Sequence, residues 1–212
     1  MSQKNIGNRF NSTSRQMRRT APKGRASQKT IAIVSVCAII LGVMITAHDY
    51  LEKHTVATAA ALAALTESME GVAAAAPAFA EAAASADKSL AAEAEEMTRA
   101  AENLASGNTA SENSASKIPA AENPASETLS GQSEAFLAIT SAFEKMNASK
   151  KAASQSEAKA LSEALEAAED AAVAYNKEAQ ALNEKVGKFP YIIISKIAGY
   201  AEYPIFNLTR EN

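Results

Sequence analysis

The hydrophobic pattern divides the chain into one uninterrupted apolar segment and a longer region in which apolar residues recur periodically. Residues 31–47 read IAIVSVCAIILGVMITA, a stretch of seventeen residues without a charge. After residue 48, apolar residues recur at alternating spacings of three and four, which is typical of α-helices with one apolar stripe. This predicts an all-α protein whose helices bury their stripes against one another. The stripes are Leu62, Leu65, Met69, Val72, Ala76, Phe79 and Ala83; Leu90, Ala94, Met97, Ala101 and Leu104; Phe136, Ile139, Phe143 and Met146; and Leu161, Leu165, Ala168, Ala172, Tyr175, Ala179, Leu182, Val186 and Phe189.

The apolar segment is just long enough to cross a bilayer, since a helix needs roughly 17 to 25 apolar residues to span a hydrocarbon core of about 30 Å. We predict a transmembrane helix over 30–47, with Tyr50 as an interfacial aromatic anchor. A cleaved signal peptide and a buried core helix are the alternatives. Ile45 at the third position before a cut after Ala47 argues against the first, and the lack of a polar face argues against the second. The predicted membrane-spanning residues are Ile31, Ile33, Val34, Val36, Ile39, Ile40, Leu41, Val43, Met44 and Ile45.

Charge is distributed unevenly along the chain. Residues 1–30 contain eight Lys and Arg residues and no Asp or Glu. The whole chain has 21 basic and 24 acidic residues, so residues 31–212 keep 13 basic against 24 acidic ones, a net charge of −11. Lys and Arg are retained on the cytoplasmic side of a membrane. We therefore predict that residues 1–29 form a disordered, basic, cytoplasmic tail and that the C-terminal domain lies outside the membrane.

The sequence contains few residues that are candidates for catalysis or for binding a metal or a nucleic acid. Cys37 is the single cysteine and lies in the apolar segment, so the domain has no thiol for a disulfide or a metal site. His48 and His54 do not share a helix face, and no third ligand is evident. Nucleophile motifs and Gly-rich phosphate loops are absent, and Phe10 is the only aromatic residue of the tail, which argues against nucleic-acid binding. We predict no catalytic residues, no enzymatic activity, no cofactor, no metal and no small-molecule substrate.

Proline and local composition mark the helix breaks. Pro77 lies inside the first stripe and must either kink one long helix or begin a new one. Residues 107–132 are rich in Ser, Asn and Pro, which predicts a flexible linker. Ser85 and Asp87 are placed to cap a helix that begins near residue 86, and Pro190 is expected to end the last helix.

The resulting helix lengths predict an antiparallel four-helix bundle over 48–206, followed by a C-terminal tail at 207–212. The outer helices, 48–84 and 154–188, would be about 55 and 52 Å long at about 1.5 Å per residue, and the two between them about half as long. Two long and two shorter helices fit an up-down-up-down bundle. A parallel coiled-coil oligomer is the alternative, and Pro77 together with the linker argues against it.

The most distinctive local motifs lie toward the C-terminus. They are Ala174-Tyr175-Asn176, Leu182-Asn183, Val186, Phe189-Pro190, Ile193-Ile194, Gly199-Tyr200 and Tyr203-Pro204-Ile205-Phe206. A second block, APAFAE at 76–81, places Pro77 on the first long helix. In order and spacing these blocks resemble the LemA family of bacterial membrane-anchored helical proteins. The long basic tail departs from the very short N-terminus that is usual in that family.

The resemblance implies a bundle of long antiparallel helices anchored in the bacterial cytoplasmic (inner) membrane, and it implies no established enzymatic activity. The expected function is that of an interaction or scaffolding module in the envelope, with a protein partner or self-association. The alternative is a lipid-binding or membrane-remodelling factor that uses the C-terminal aromatic segment and the basic tail. The resemblance marks as structural or interaction residues Pro77, Tyr175, Asn176, Asn183, Phe189, Pro190, Gly199, Tyr200 and Phe206.

Two parts of the C-terminal block also have a physical interpretation. Asn176 and Asn183 are seven residues apart, hence on one helix face. There they are expected to hydrogen-bond across helices and set the register, with ligand binding as the alternative. The apolar stretch 191–198 is too short to span a bilayer. It either packs against the base of the first helix and dips into the headgroup layer, or only closes the base of the bundle.

Overall fold

The structure is a computed structural model that describes residues 28–114, 124–149 and 155–209. In these ranges the chain is all-helical and contains no strand, which confirms the predicted all-α class. The helices are α1 (Gln28–Ala86), α2 (Ala91–Ser114), α3 (Pro124–Ala148), α4 (Gln155–Val186) and α5 (Tyr191–Ala198), with a short 3-10 turn at Lys88–Leu90 between the first two. The predicted disordered tail lies outside the described residues, except for Gln28 and Lys29, which begin α1.

Helix α1 contains both the apolar segment and the first stripe, and it continues through Pro77. Proline has no N–H to donate to the carbonyl four residues earlier, but the helix does not end there. Thr58 is a buried polar residue of the stripe, and its hydroxyl donates to the carbonyl of His54 at 2.7 Å. The buried residues of α1 are Ala47, Leu51, Thr58, Leu65, Met69, Val72, Ala76, Phe79, Ala80 and Ala83, which include most of the predicted stripe.

The chain between α1 and α2 turns at Asp87, one of the two predicted caps, whereas Ser85 lies inside α1. The Asp87 carboxylate accepts hydrogen bonds from the backbone N–H of Ser89 at 3.0 Å and from the Ser89 hydroxyl at 2.6 Å. Asp87 itself has an extended backbone, with φ of −142°. It therefore satisfies a donor that the first helical turn leaves without a partner.

Much of the predicted linker 107–132 is helical in the structure, because α2 continues to Ser114 and α3 already begins at Pro124. Leu129 is buried seven residues before Phe136 and extends the stripe of α3. A Cβ atom at Gly107 would lie 2.9 Å from Cγ of Gln132, so this glycine permits close approach of α2 and α3. The tertiary contact between these helices outweighs a local composition typical of linkers. Residues 115–123 lie outside the described ranges.

Helix α4 ends at Val186, four residues before the proline that was expected to end it. Its stripe is buried as predicted up to Val186, whereas the last predicted position, Phe189, is 79% exposed. The Phe189–Pro190 peptide bond is cis. Helix α5 follows and ends at Ala198. The next residue, Gly199, has a left-handed φ of 79°, and its N–H donates to the carbonyl of Ser195 at 2.8 Å. This is the usual role of glycine just after a helix.

Aromatic and polar contacts bring α3 and α4 against α1. The rings of Phe79 on α1 and Phe143 on α3 have centroids 5.0 Å apart. Nδ1 of His54 on α1 lies 3.3 Å from a carboxylate oxygen of Glu178 on α4. Alanine fills many of the other core positions, so the few large side chains carry much of the buried apolar area.

By its contacts the chain forms two compact units, Met1–Ile39 and Ile40–Asn212. In the described part of the first unit, residues 28–39, every residue is exposed. The second unit contains the buried core. Among the described residues, α1 is the helix that is long and apolar enough to cross a membrane. Signal sequences and core helices of soluble proteins can have the same length and composition.

Candidate functional site

The predicted motif residues of α4 contact the part of the chain that follows α5. We call residues 200–209 the C-terminal segment; it is not helical. Asn176 donates through Nδ2 to the carbonyl of Phe206 at 2.8 Å and accepts at Oδ1 from the N–H of Phe206 at 2.8 Å. Asn183 makes the same pair of bonds with Tyr203, at 2.7 and 2.8 Å. Each asparagine thus binds both backbone groups of one residue.

The spacing of these contacts shows how the segment lies on the helix. Asn176 and Asn183 are separated by about 10.5 Å along a helix, at 1.5 Å per residue. The residues that they bind, Phe206 and Tyr203, are only three apart, so the segment covers about 3.5 Å per residue, which is the rise of an extended chain. Because the earlier asparagine binds the later residue, the C-terminal segment runs antiparallel to α4.

The side-chain carboxamides of Asn176 and Asn183 bond to the backbone of the C-terminal segment in the way that the peptide groups of an adjacent β-strand would. An extended segment has backbone donors and acceptors that no helix satisfies, and burying them without partners costs free energy. Asparagine has one carbonyl and one NH₂, so it can serve a donor and an acceptor of the same residue together. The sequence predicted that these asparagines bond across helices. The structure instead shows them bonding to the C-terminal segment, 20 and 30 residues away.

Further contacts fix the C-terminal segment between α3 and α4. The Tyr175 hydroxyl donates to the carbonyl of Pro204 at 2.6 Å. The Ser133 hydroxyl on α3 donates to the carbonyl of Asn207. The rings of Phe136 and Phe206 meet edge to face with centroids 6.1 Å apart. The segment is therefore anchored by polar groups and buried aromatic rings together.

Burial raises the pKa of the Tyr175 phenol strongly, and the neighbouring Tyr203 phenol raises it further. Burial also raises the pKa of Tyr203. The folded pKa of Tyr175 therefore exceeds the value of about 10 expected in the unfolded chain. Below that pH the contribution of the neutral phenol to stability is fully present, and it is lost as the pH rises above about 10.

We expect Tyr175→Phe to make the free energy of unfolding depend less on pH at alkaline pH. The variant lacks the bond to Pro204 and should be about 1 kcal/mol less stable at neutral pH. Above about pH 10, however, its free energy of unfolding should fall with pH less steeply than that of the wild type, because one proton fewer is released on unfolding. Urea titrations at a series of pH values measure both quantities. Equal slopes in the two proteins would contradict the prediction.

The motif residue Tyr200 belongs to a second group of aromatic side chains, which lies where α5 meets α1. The rings of Tyr50 and Tyr191 are 5.4 Å apart and those of His48 and Tyr200 are 6.0 Å apart. The ring of His54 lies 4.3 Å from that of Tyr50. We call these five residues the aromatic cluster. It places α5 beside residues 48–54 of α1, directly after the apolar segment.

Helix α5 has one buried side and one exposed apolar side. Ile194 and Ser195 are buried, and the Ser195 hydroxyl lies 3.1 Å from the carbonyl of Val186. Ile193 and Ile197, four residues apart on α5, are 41% and 77% exposed, and Phe189, two residues before the helix begins, is 79% exposed. We call these three residues the α5 outer face. Lys188 and Lys196 are exposed in the same stretch of chain.

No protein-family model matches the chain, and neither a curated protein nor a solved structure matches it. The resemblance to the LemA family therefore stays a prediction. Of the motif residues behind it, Tyr175, Asn176, Asn183 and Phe206 meet in one site. Pro77 lies elsewhere, in a shallow groove that Ala94 and Thr98 of α2 also line.

The described residues contain one group that could hold a metal ion, which the sequence analysis did not single out. His48, Asp49 and Glu52 are exposed, and their possible ligand atoms lie within 4.8 Å of one another. A pair of histidines was considered in the sequence, but His54 contacts Tyr50 and Glu178 instead. The spacing of one histidine with carboxylates one and four residues later is the signal that could have indicated the group. Exposed acidic groups of this kind are ordinary on helix surfaces.

Helices α2 and α3 also border an open groove of about 520 Å³. Its lining combines small residues, such as Ala100 and Ala135, with polar ones, such as Asn103 and Gln132. Arg99 at the rim pairs with Glu95 at 3.1 Å on the same helix. The groove thus offers mixed polar and apolar contacts on the surface of the domain.

Proposed function

We propose that the protein is a single-pass membrane protein whose helical domain acts as an interaction or scaffolding module at the bacterial inner membrane. One observation carries the proposal: the apolar side chains of residues 31–45 are exposed around α1, except that Met44 is half-buried against the core. The other large ones have exposed fractions between 44% and 67%. Soluble monomers rarely expose contiguous apolar patches above a few hundred Å². A lipid bilayer removes this surface from water, and a helix satisfies its own backbone groups there.

The proposed topology rests on charge. The basic tail precedes the apolar segment, and the chain after it is acidic. Because Lys and Arg near a span stay in the cytoplasm, the tail would lie inside and the domain outside. The opposite arrangement would require translocation of eight positive charges.

Within the domain, the proposed arrangement is an antiparallel, LemA-like bundle of α1 to α4. The contacts between α1 and the C-terminal part of the chain support it. His54 meets Glu178, whereas the earlier residue Tyr50 meets the later residue Tyr191. The order of contacts along α1 is thus the reverse of the order along the chain from α4 to α5. The groove between α2 and α3 is the surface that we assign to a protein partner.

The topology can be tested with the single cysteine of the chain. Cys37→Ser gives a thiol-free protein, into which Ser162→Cys on exposed α4 or Ser14→Cys in the tail is introduced. In spheroplasts, a membrane-impermeant maleimide should label position 162 at once and position 14 only after lysis. The reverse labelling would overturn the topology. Recovery of the protein in the soluble fraction after an alkaline wash would overturn the anchor.

The scaffolding role is tested by site-specific photocrosslinking in intact cells. A photoreactive residue at Asn103, in the groove between α2 and α3, should give discrete protein adducts. The same residue at Ser162, exposed on α4 and outside the groove, serves as the matched control. Equal adducts at both positions, or lipid adducts alone, would contradict a protein-binding groove. Lipid adducts alone would favour the alternative function, a lipid-binding or membrane-remodelling factor, which the exposed α5 outer face supports.

A further inference from the structure

We infer that the α5 outer face inserts into the lipid headgroup layer beside the span, as a second contact of the domain with the same membrane. This inference rests on the proposed function, because it requires the apolar segment of α1 to lie in the bilayer. It assigns Phe189, Ile193 and Ile197 to lipid.

The position of α5 is the first argument. The proposed span ends at Ala47, so residues 48–50 would lie at the membrane surface. Tyr191, the first residue of α5, contacts Tyr50, and Tyr200, just after α5, contacts His48. Both ends of α5 are therefore held at the level at which the chain leaves the bilayer. The α5 outer face and residues 40–50 belong to the same compact unit.

The chemistry of the surface is the second argument. Eight residues of helix extend about 12 Å, far less than a hydrocarbon core of about 30 Å, so α5 can lie in the interface but cannot cross. Helices at an interface bury apolar side chains just below the headgroups and keep Lys at the headgroup level. Tyrosine is enriched at the same depth. The α5 outer face, the two lysines and the aromatic cluster reproduce this combination.

The other side of α5 is already buried against the domain. Ile194 and Ser195 already pack against the domain, so the domain does not need the outer face for its own core. Phe189 and Ile197 are more exposed than any of the large exposed side chains of the proposed span. Lys188 and Lys196 are accompanied by exposed Asp49 and Glu52 on α1. Because these charges nearly balance, apolar insertion is the main expected attraction to the membrane.

The test uses the full-length protein in vesicles of phosphatidylethanolamine and phosphatidylglycerol, with an environment-sensitive fluorophore on one cysteine. Three proteins are compared: native Cys37 in the span, and, in the Cys37→Ser background, Ile197→Cys on the α5 outer face and Ser162→Cys on exposed α4. Quenchers are placed in the lipids at headgroup level or deep in the acyl chains. We expect headgroup-level quenching at position 197, deep quenching at position 37 and no quenching at position 162.

Adding Phe189→Ser and Ile193→Ser should reduce quenching at position 197 by at least about twofold, since the insertion depends on the apolar area of the face. The thermal unfolding midpoint should not change, because these side chains are exposed. Quenching at position 37 without quenching at position 197 would overturn this inference and leave the anchor intact. Loss of quenching at position 37 would overturn the proposed function itself. A blue-shifted but unquenched fluorophore at position 197 would show a protein occupant and would also overturn the inference.

Discussion

Replacing Asn176 and Asn183 together by alanine is expected to release residues 203–206 from α4. The double variant loses four hydrogen bonds of 2.7 to 2.8 Å, each with a backbone group of the C-terminal segment. At roughly 0.5–1.5 kcal/mol net for each bond, the free energy of opening the segment should fall by roughly 2–6 kcal/mol. Hydrogen exchange of the Tyr203 and Phe206 amides measures this opening directly.

A matched control is available on the other helices. Asn103 on α2 and Asn147 on α3 are exposed, so replacing both by alanine removes the same two side chains without touching the segment. Their double variant should leave exchange at Tyr203 and Phe206 unchanged. Exchange rates in the Asn176 and Asn183 variant that match the control would mean that aromatic packing alone holds the segment.

Asn183→Asp separates the hydrogen-bonding role from side-chain shape. Aspartate can still accept from the N–H of Tyr203, but at pH 7 it places a carboxylate oxygen where Nδ2 now donates to the Tyr203 carbonyl. The segment should therefore open as it does in the alanine variant. Docking raises the pKa of the new carboxyl, because only its neutral form can donate, so protection should return as the pH falls and be complete below about 4, the pKa of an undocked aspartate. Full protection at pH 7 would contradict the assigned pairing.

Phe79→Ala is expected to cost about 3–5 kcal/mol of stability, the usual range for removing a fully buried phenylalanine. Phe79 is wholly buried on α1, and its ring packs 5.0 Å from that of Phe143. Many neighbouring core residues are alanines, which cannot move to fill the space that the ring leaves. Since domains of this size are stable by only about 5–15 kcal/mol, the variant should unfold at a much lower denaturant concentration.

The control for Phe79→Ala is Phe189→Ala, which removes the same side chain from a position that is 79% exposed. Its effect on the free energy of unfolding should stay within about 0.5 kcal/mol, as for most surface substitutions. Urea unfolding of both full-length variants in the same detergent makes the comparison. Similar losses in the two variants would show that burial of Phe79 is not what stabilises the domain.

The positions of the core could be predicted well because they follow a local period. Leu65, Met69 and Val72 on α1 and Leu161 and Leu182 on α4 lie in the predicted stripes and are buried. A helix exposes one face every 3.6 residues, so the period of seven indicates the buried side without knowledge of the partner helix. The prediction failed at Phe189, where the period continues in the sequence but the helix has already ended at Val186.

In the predicted linker 107–132 the sequence predicted a flexible chain where α2 and α3 are helical at both ends of the stretch. Its composition is polar, and local propensity favours a flexible chain, but Leu129 and Gln132 are buried beside α2. The contact between α2 and α3 stabilises the helix there, against the local preference. A prediction from composition contains no information about that contact.

The candidate site was predicted only in part. Asn176 and Asn183 were recognised as sharing one face of α4, and Tyr175 as part of its apolar stripe, but the partners of the two asparagines were expected on another helix. Their actual partners are backbone groups of the C-terminal segment, and the sequence of an extended segment carries no periodic signal for a helical neighbour. The α5 outer face was likewise recognisable only as an apolar stretch, since the sequence does not show which side of so short a helix is buried.

The sequence by itself determined the all-α class, the apolar segment and the buried stripes, because each depends on spacing along one helix. It also determined the contrast between the basic tail and the acidic domain, because charge is a property of composition. The tertiary structure alone decided that Asn176 and Asn183 bind the C-terminal segment, and that Phe189, Ile193 and Ile197 remain exposed. These features depend on which distant segments meet, and the pairing of segments far apart in the chain is decided by the packing of the whole domain.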